Sequence, residues 1–410
     1  MATMGVVGVA GHGGNMSKLK NLAAAVALAA LGLGAVPATA ATIVLNDTGG
    51  VTGSPAERGF RAAAKFWETF LADDITISLN VNFAALGPNI LGSTRSTLFS
   101  TSTAAIYQQL GATQTSTLDQ SVVNTLKPLS SAGGLQVITP GYVNPATLTG
   151  ADTTTRIVDN DDTANNTRLA GTSANLKALG FGLPAGLVDG TIQFSTNFAF
   201  DFNPTDGITA GQTDFIAVAI HEIGHALGFV SGVDVYDANG CPNGPGCAAT
   251  SNASFNNSVI GRVGDLFRYS APGVVDWTPG TAAYFSIDGG RSQLFGNSLL
   301  STGDFNGDGF QASHFKNNGT CFNFIGILNP FICDGVGGTV TASDLAFFDA
   351  IGYTTNVNVL GNPNFQFSTA QAFGLVPEPA TWVQMILGFG MLGGAMRVAR
   401  RSRRGALAAA

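Results

Sequence analysis

The sequence predicts an α+β fold in which one buried helix lies between an upstream mixed sheet and an irregular C-terminal part. Three observations lead there. Ala56–Leu71 carries apolar residues at helical spacing, and Ile75–Phe83 alternates apolar with polar residues as a half-buried strand does. Phe215-Ile216-Ala217-Val218-Ala219-Ile220 is an apolar run suited to a helix buried on all sides.

Taken in order, the first helix sets Phe60, Ala63, Ala64, Trp67 and Leu71 on one face, and Asp73-Asp74 ends it. Ile75, Ile77, Leu79, Val81 and Phe83 then point one way, with Thr, Ser and Asn between them. A Ser/Thr-rich middle follows, with weaker helices near Ala104–Leu110 and Ser173–Leu179. Gly190–Ser195 and Phe198–Phe200 read as strands just before the apolar helix. Beyond Gly228 come strands and loops, including Asp265–Tyr269 and Tyr284–Gly290, and a last helix over Ala342–Ile351.

Both ends of the chain carry segments foreign to a globular fold. Lys18 and Lys20 precede an Ala/Leu-rich run from Leu22 to Val36 and then Ala38-Thr39-Ala40. That is the pattern of an export signal over residues 1–40, with Met16 as an alternative start and Ala41 as the mature N-terminus. At the other end, Val376-Pro377-Glu378-Pro379 leads into an apolar stretch, Ala380–Met396, closed by Arg397, Arg400, Arg401, Arg403 and Arg404. The stretch is long enough to span a bilayer with its arginines held inside. Residues 376–404 resemble the PEP-CTERM sorting signals of Gram-negative bacteria. The resemblance implies an exosortase-type sorting enzyme as a partner, with display at the cell surface or envelope, or release from it. A permanent C-terminal anchor is the alternative.

Removing both ends takes away seven of the 19 basic residues and one of the 26 acidic ones, leaving a body of about −13 against −7 for the whole chain. Such an acidic surface excludes nucleic acid and anionic lipid as expected partners. The body, residues 41–375, is large enough for one domain or for two lobes around a cleft. It holds all four cysteines, in two local pairs, Cys241 with Cys247 and Cys321 with Cys333. Three pairings are possible, and two local disulfides are the simplest in an oxidising compartment.

Within the apolar helix stands His221-Glu222-Ile223-Gly224-His225, an H-E-x-x-H pattern. Residues i and i+4 share a helix face, so both imidazoles can reach one metal ion, with Glu222 beside them to take a proton from water. The chain has four histidines, of which His12 lies in the export signal, so the body keeps only His221, His225 and His314. Zinc needs a third protein ligand and an open position. Gly228 stands where a helix-ending glycine is wanted. Three residues on, Ser231 is a poor ligand, and Asp234 is a carboxylate that could serve.

Downstream, Gln311-Ala312-Ser313-His314-Phe315 is followed by Gly326-Ile327-Leu328-Asn329-Pro330, and then by Thr341 to Asp349-Ala350-Ile351-Gly352-Tyr353. This order resembles leishmanolysin-type metzincins over Phe215–Tyr353, and more loosely over Ala56–Phe83. The resemblance implies a two-lobed zinc protease domain with an N-lobe of about 41–228, a C-lobe of about 229–356 and then a linker. It makes His314 the third zinc ligand and sets Pro330 in a Met-turn. Leu328 replaces the methionine that floors the metal. It further implies an exported metalloendopeptidase acting on proteins or peptides, with Glu222 as general base. A surface adhesin or matrix protein with a structural or silent metal site is the alternative.

Three smaller readings remain open. Asp304-Phe305-Asn306-Gly307-Asp308-Gly309 opens like a Ca²⁺ loop, but Phe315 stands where the closing acid belongs, so an Asx turn is the alternative. Asp159-Asn160-Asp161-Asp162 reads as a solvated loop, and Asp349 as a hydrogen-bonding residue near the site. A pro-segment between Ala41 and about Ser54 is open, though without a cysteine to act as a thiolate switch. Oligomeric state is not legible.

Overall fold

The computed structural model describes residues 40–240, 254–322 and 324–376, together with Met391 and Arg397. Residues 1–39 of the stretch expected to be an export signal, the loop expected to hold a Cys241–Cys247 disulfide, and nearly all of the C-terminal apolar stretch lie outside the described residues. Among the described residues no helix is long and apolar enough to cross a membrane.

The first sheet is mixed, as expected. Strands β1 (Thr42–Gly49), β2 (Thr76–Ala84), β3 (Gly92–Ser96) and β8 (Gly190–Ser195) lie in the order β1-β2-β8-β3. β1, β2 and β8 run parallel, and β3 joins β8 antiparallel at the edge. Helix α1 (Pro55–Phe70) makes the β1–β2 crossover that parallel strands require. Its inner face buries Phe60, Phe66, Trp67 and Phe70. Each such side chain taken out of water contributes on the order of 1.5–3 kcal/mol. The helix ends where Leu71 turns extended, and Asp73 accepts the N–H of Thr354 beyond it.

Between β3 and β8 lie two strand pairs, β4 (Leu98–Ser102) with β7 (Arg168–Thr172) and β5 (Val137–Gly141) with β6 (Asp152–Asp159). Helices α2 (Thr103–Ala112), α3 (Thr117–Thr125) and α4 (Ser173–Ala178) fill the same region. Two-residue strands β9 (Phe200–Asp201) and β10 (Thr213–Asp214) then lead into α5 (Phe215–Leu227). Of the expected strand Phe198–Phe200, only Phe200 is in a ladder.

After α5 come α6 (Val233–Asn239) and a small antiparallel sheet in the order β12-β11-β13-β14. Its members are β11 (Arg268–Ala271), β12 (Val274–Val275), β13 (Ala283–Phe285) and β14 (Leu299–Leu300). The expected strand Asp265–Tyr269 is divided, since Val263–Phe267 forms a 3₁₀ turn and pairing starts at Arg268. The expected strand at Tyr284 stops at Phe285. α7 (Ala342–Ala350) matches its predicted span within one residue.

Two stretches differ from expectation. Thr42–Gly49 is the edge strand of the first sheet, paired to β2 from Thr42 onward, and so is part of the fold. The stretch after residue 356, expected as a linker, folds through Val376. β15 (Thr339–Thr341) pairs with β16 (Gln366–Ser368), and α8 (Thr369–Gly374) follows. Aromatic burial is the reason: the Phe367 ring lies 5.6 Å from Phe66 and 5.1 Å from Phe70, and Phe365 lies 5.5 Å from Phe70. The described residues from Ala40 to Val376 pack as one unit.

Candidate metal centre

α5 is apolar on nearly every side because both of its flanks are covered. Phe215 meets Phe60 at 5.0 Å and Phe194 at 4.4 Å, and the Trp67 indole N–H donates to Ile220 O at 3.1 Å. Asp214 starts the helix: its Oδ1 accepts the N–H groups of Ile216 and Ala217. Its Oδ2 accepts the Gly338 N–H and the Thr369 hydroxyl, which ties the C-terminal segment to the same point. Gly228 ends the helix at φ 131°, with its N–H on Gly224 O at 3.1 Å. A side chain there would also meet Ile351 Cδ1 at 2.9 Å.

The helix brings His221 and His225 side by side, and His314 arrives from the segment after β14. Their Nε2 atoms form a triangle with sides of 3.0 Å (221–225), 3.2 Å (225–314) and 3.2 Å (314–221). Each Nδ1 faces a backbone carbonyl: His221 that of Ile327 at 2.8 Å, His225 that of Phe229 at 2.7 Å, and His314 that of Gln311 at 3.1 Å. A carbonyl only accepts, so each Nδ1 carries the ring's proton and each Nε2 presents a lone pair. Three lone pairs then converge with no hydrogen to share among them.

Protonating a ring does not relieve this. Burial, with the charge of His225 next, holds His221 down to about 3. Burial alone holds His225 to about 4, and burial plus its two neighbours holds His314 well below the ordinary range. A cation at the centre satisfies all three lone pairs at once. Two nitrogens bound to one tetrahedral zinc at about 2.0–2.1 Å stand about 3.3–3.4 Å apart, close to the separations seen here. Among the described residues this is the one cluster of three or more His, Cys, Asp or Glu able to hold a metal ion.

Glu222 is 5% exposed, and burial raises its carboxyl to about 7 against the opposing hydrogen bond from Thr94. Leu328 is fully buried and its side chain lies against Gly224, which falls between the two helix histidines in sequence. The turn holding it is fixed by Asp344, which accepts the N–H groups of Ile327 at 2.9 Å and Leu328 at 3.2 Å. The three histidines and Glu222 line a cleft of about 520 Å³. Asn89–Thr94, Gln311, Ser313 and Ile327, with Asn329–Ile332 and so Pro330, line it too.

No family model, curated protein or solved structure matches this chain. What the site does is therefore argued from its own residues.

The structure gathers His221, Glu222, His225 and His314 and sets Gly228, Leu328 and Pro330 around them. It does not use Ser231 or Asp234 as ligands. The Ser231 hydroxyl donates to Asp265 at 2.6 Å. Asp234 accepts the Ala312 N–H at 2.6 Å and the Ser313 hydroxyl. With both oxygens taken by donors, Asp234 anchors the segment that delivers His314. Asp349 lies away from the cleft, where it accepts the Ser116 hydroxyl at 3.1 Å. In the Asp304–Gly309 loop, Asp308 accepts the Thr302 N–H at 3.0 Å. Asp308 also takes the Lys316 ammonium at 2.6 Å and Asn306 donates to Asp237, so these two positions of the loop are engaged by protein contacts. Of the stretch expected as a solvated loop, Asn160, Asp161 and Asp162 are exposed, with Asp161 and Asp162 accepting from Thr163, Asn256 and Ser130. Asp159, however, ends β6 as a buried residue that accepts from the Asn165 amide at 2.7 Å. Cys321 and Cys333 lie at disulfide distance, their Cα atoms 5.6 Å apart.

Sequence reasoning missed Thr94, Asp265 and Asp344. A carboxylate at the N3 position of a helix after Thr341 was a readable capping signal for Asp344. Nothing local marks Thr94, because its partner is 128 residues away.

Proposed function

We propose that the protein is a zinc-dependent endopeptidase of the metzincin kind, with His221, His225 and His314 holding the ion and Glu222 as general base. The observation that carries this reading is the convergence of three Nε2 lone pairs beside a buried carboxylate on an open cleft. Zinc, when bound, supplies a Lewis acid that makes a water acidic and polarises a carbonyl. Glu222 accepts a proton from the attacking water and delivers it to the departing amine.

The substrate side of the cleft favours peptide over a small molecule. β3 is the terminal strand of its sheet, and Gly92, Ser93 and Thr94 line the cleft. A terminal strand offers backbone N–H and C=O groups to an extended chain, which adds as a further strand. Ile90 and Phe331, 43% and 46% exposed and both lining the cleft, offer apolar contact to its side chains. The sequence patterns at the two ends support export and C-terminal sorting at the envelope of a Gram-negative cell.

Zinc analysis together with casein hydrolysis by wild type and Glu222→Gln tests the reading. The expected result is one zinc per chain in both proteins, cleavage by the wild type, and a loss of about 10²–10⁴-fold in the variant. Zinc bound without cleavage by the wild type would give the site a structural role, as in a surface adhesin or matrix protein.

A further inference from the structure

We propose that Thr94 is the positioning residue for the Glu222 carboxylate, an inference that rests on Glu222 being the proton acceptor. Thr94 belongs to β3, outside the metal helix. Its Oγ1 lies 2.7 Å from Glu222 Oε2 and 2.9 Å from the Glu222 backbone oxygen. A hydroxyl has one hydrogen, and here both acceptors within reach belong to one residue. With Glu222 as carboxylate, the hydrogen goes to Oε2. When the proton taken from water sits on Oε2, that O–H donates to Oγ1, and Thr94 turns its own hydrogen to the backbone oxygen. Both forms of the base then keep a partner while the side chain stays in place.

The neighbouring residues of β3 make this contact possible. Gly92 is two positions earlier on the same face, and a Cβ there would stand 2.8 Å from Glu222 Oε1, 2.9 Å from its Cγ and 3.0 Å from Val218 Cγ1. Any larger residue would separate strand from carboxylate. Ser96, two positions later, donates to the His225 backbone oxygen at 3.0 Å. The strand period of two therefore aims residues 92, 94 and 96 at the helix, one bare and two hydroxylated.

Thr94→Val keeps the shape and removes the hydroxyl, and Thr94→Ser keeps the hydroxyl. In the zinc-loaded full chain with a peptide substrate, Thr94→Val is expected to lower kcat about tenfold or more, the loss expected for one hydrogen bond to a charged group. KM and zinc stoichiometry should stay within about twofold, and Thr94→Ser should return most of kcat. A second measurement needs no activity: a double-mutant cycle on metal-free protein, read by melting temperature. Thr94→Val should lower the melting temperature of the wild type and have a clearly smaller effect beside Glu222→Ala, where the shared bond is already absent. An unchanged kcat in Thr94→Val, or equal melting shifts in both backgrounds, would overturn the proposal. A wild type that binds zinc but cleaves nothing removes the base reading instead, and the metal-free cycle still decides whether the two residues are coupled.

Discussion

Asp234 and Ser313, 79 residues apart, are joined by a hydrogen bond from the serine hydroxyl to the carboxylate, whose other oxygen takes the Ala312 N–H at 2.6 Å. The bond fixes the backbone one residue before His314. Ser231, just past the metal helix, donates its own N–H to the Ser313 hydroxyl at 3.0 Å. The third histidine is thus registered against the exit of the helix that carries the first two.

Asp234→Ala is therefore expected to weaken zinc binding by about 10–100-fold, the usual range for groups that orient a metal ligand from behind. Competition against a chromogenic chelator measures it. Wild-type affinity in the variant would mean that the pairing of the segment with β14 holds His314 unaided.

Gly228→Ala is expected to destabilise the fold by about 1–3 kcal/mol, because φ 131° is closed to an L side chain and Ile351 stands 2.9 Å from the added carbon. Urea denaturation should show a lower midpoint at an unchanged slope. A midpoint equal to that of the wild type would show that the helix end can relax.

Asp349 supplies a pH dependence remote from the metal. Burial first, and then the charge of Asp119, lift its carboxyl to about 8. A carboxyl raised above its unfolded value stabilises the fold at low pH, and that contribution is lost as pH rises through the folded value. Wild-type melting temperature should consequently fall as pH rises from about 4 to about 8 and level off above that, and Asp349→Asn should flatten the fall. Parallel curves for the two proteins would place that loss elsewhere.

Removing zinc should leave the fold intact. The metal helix is capped by Asp214 and Gly228 and each imidazole has its own carbonyl partner, so the framework stands on protein contacts. Chelator should leave the far-UV circular dichroism unchanged and lower the melting temperature, with zinc restoring it by mass action. Loss of secondary structure on chelation would show that metal and fold form together.

Elements with a strong local period are legible in the sequence: α1, β2 and α5 each show their buried face in the spacing of apolar residues. His314 was also within reach, because it is one of only three histidines after residue 40. β3 was not. Gly92-Ser93-Thr94-Arg95-Ser96 contains no apolar residue, and its strand character comes from pairing with β8. β1 is apolar enough but follows directly on the cleavage pattern, where a pro-segment is equally natural. Asp234 shows the limit for single residues. A carboxylate suits a metal or an N–H equally well, and only the positions of Ala312 and Ser313 decide between them.

The double use of Asp214 bears on when the site can exist. One oxygen starts the helix that carries His221 and His225, and the other is held by Gly338 and Thr369, the latter 155 residues further on. Chain emerging from a ribosome or a translocation channel cannot complete that cap until Thr369 has cleared it, and His314 also comes late. The metal helix thus reaches its final form only when almost the whole body has been released. A nascent chain is in this way kept from presenting a finished three-histidine cluster before its synthesis is nearly complete.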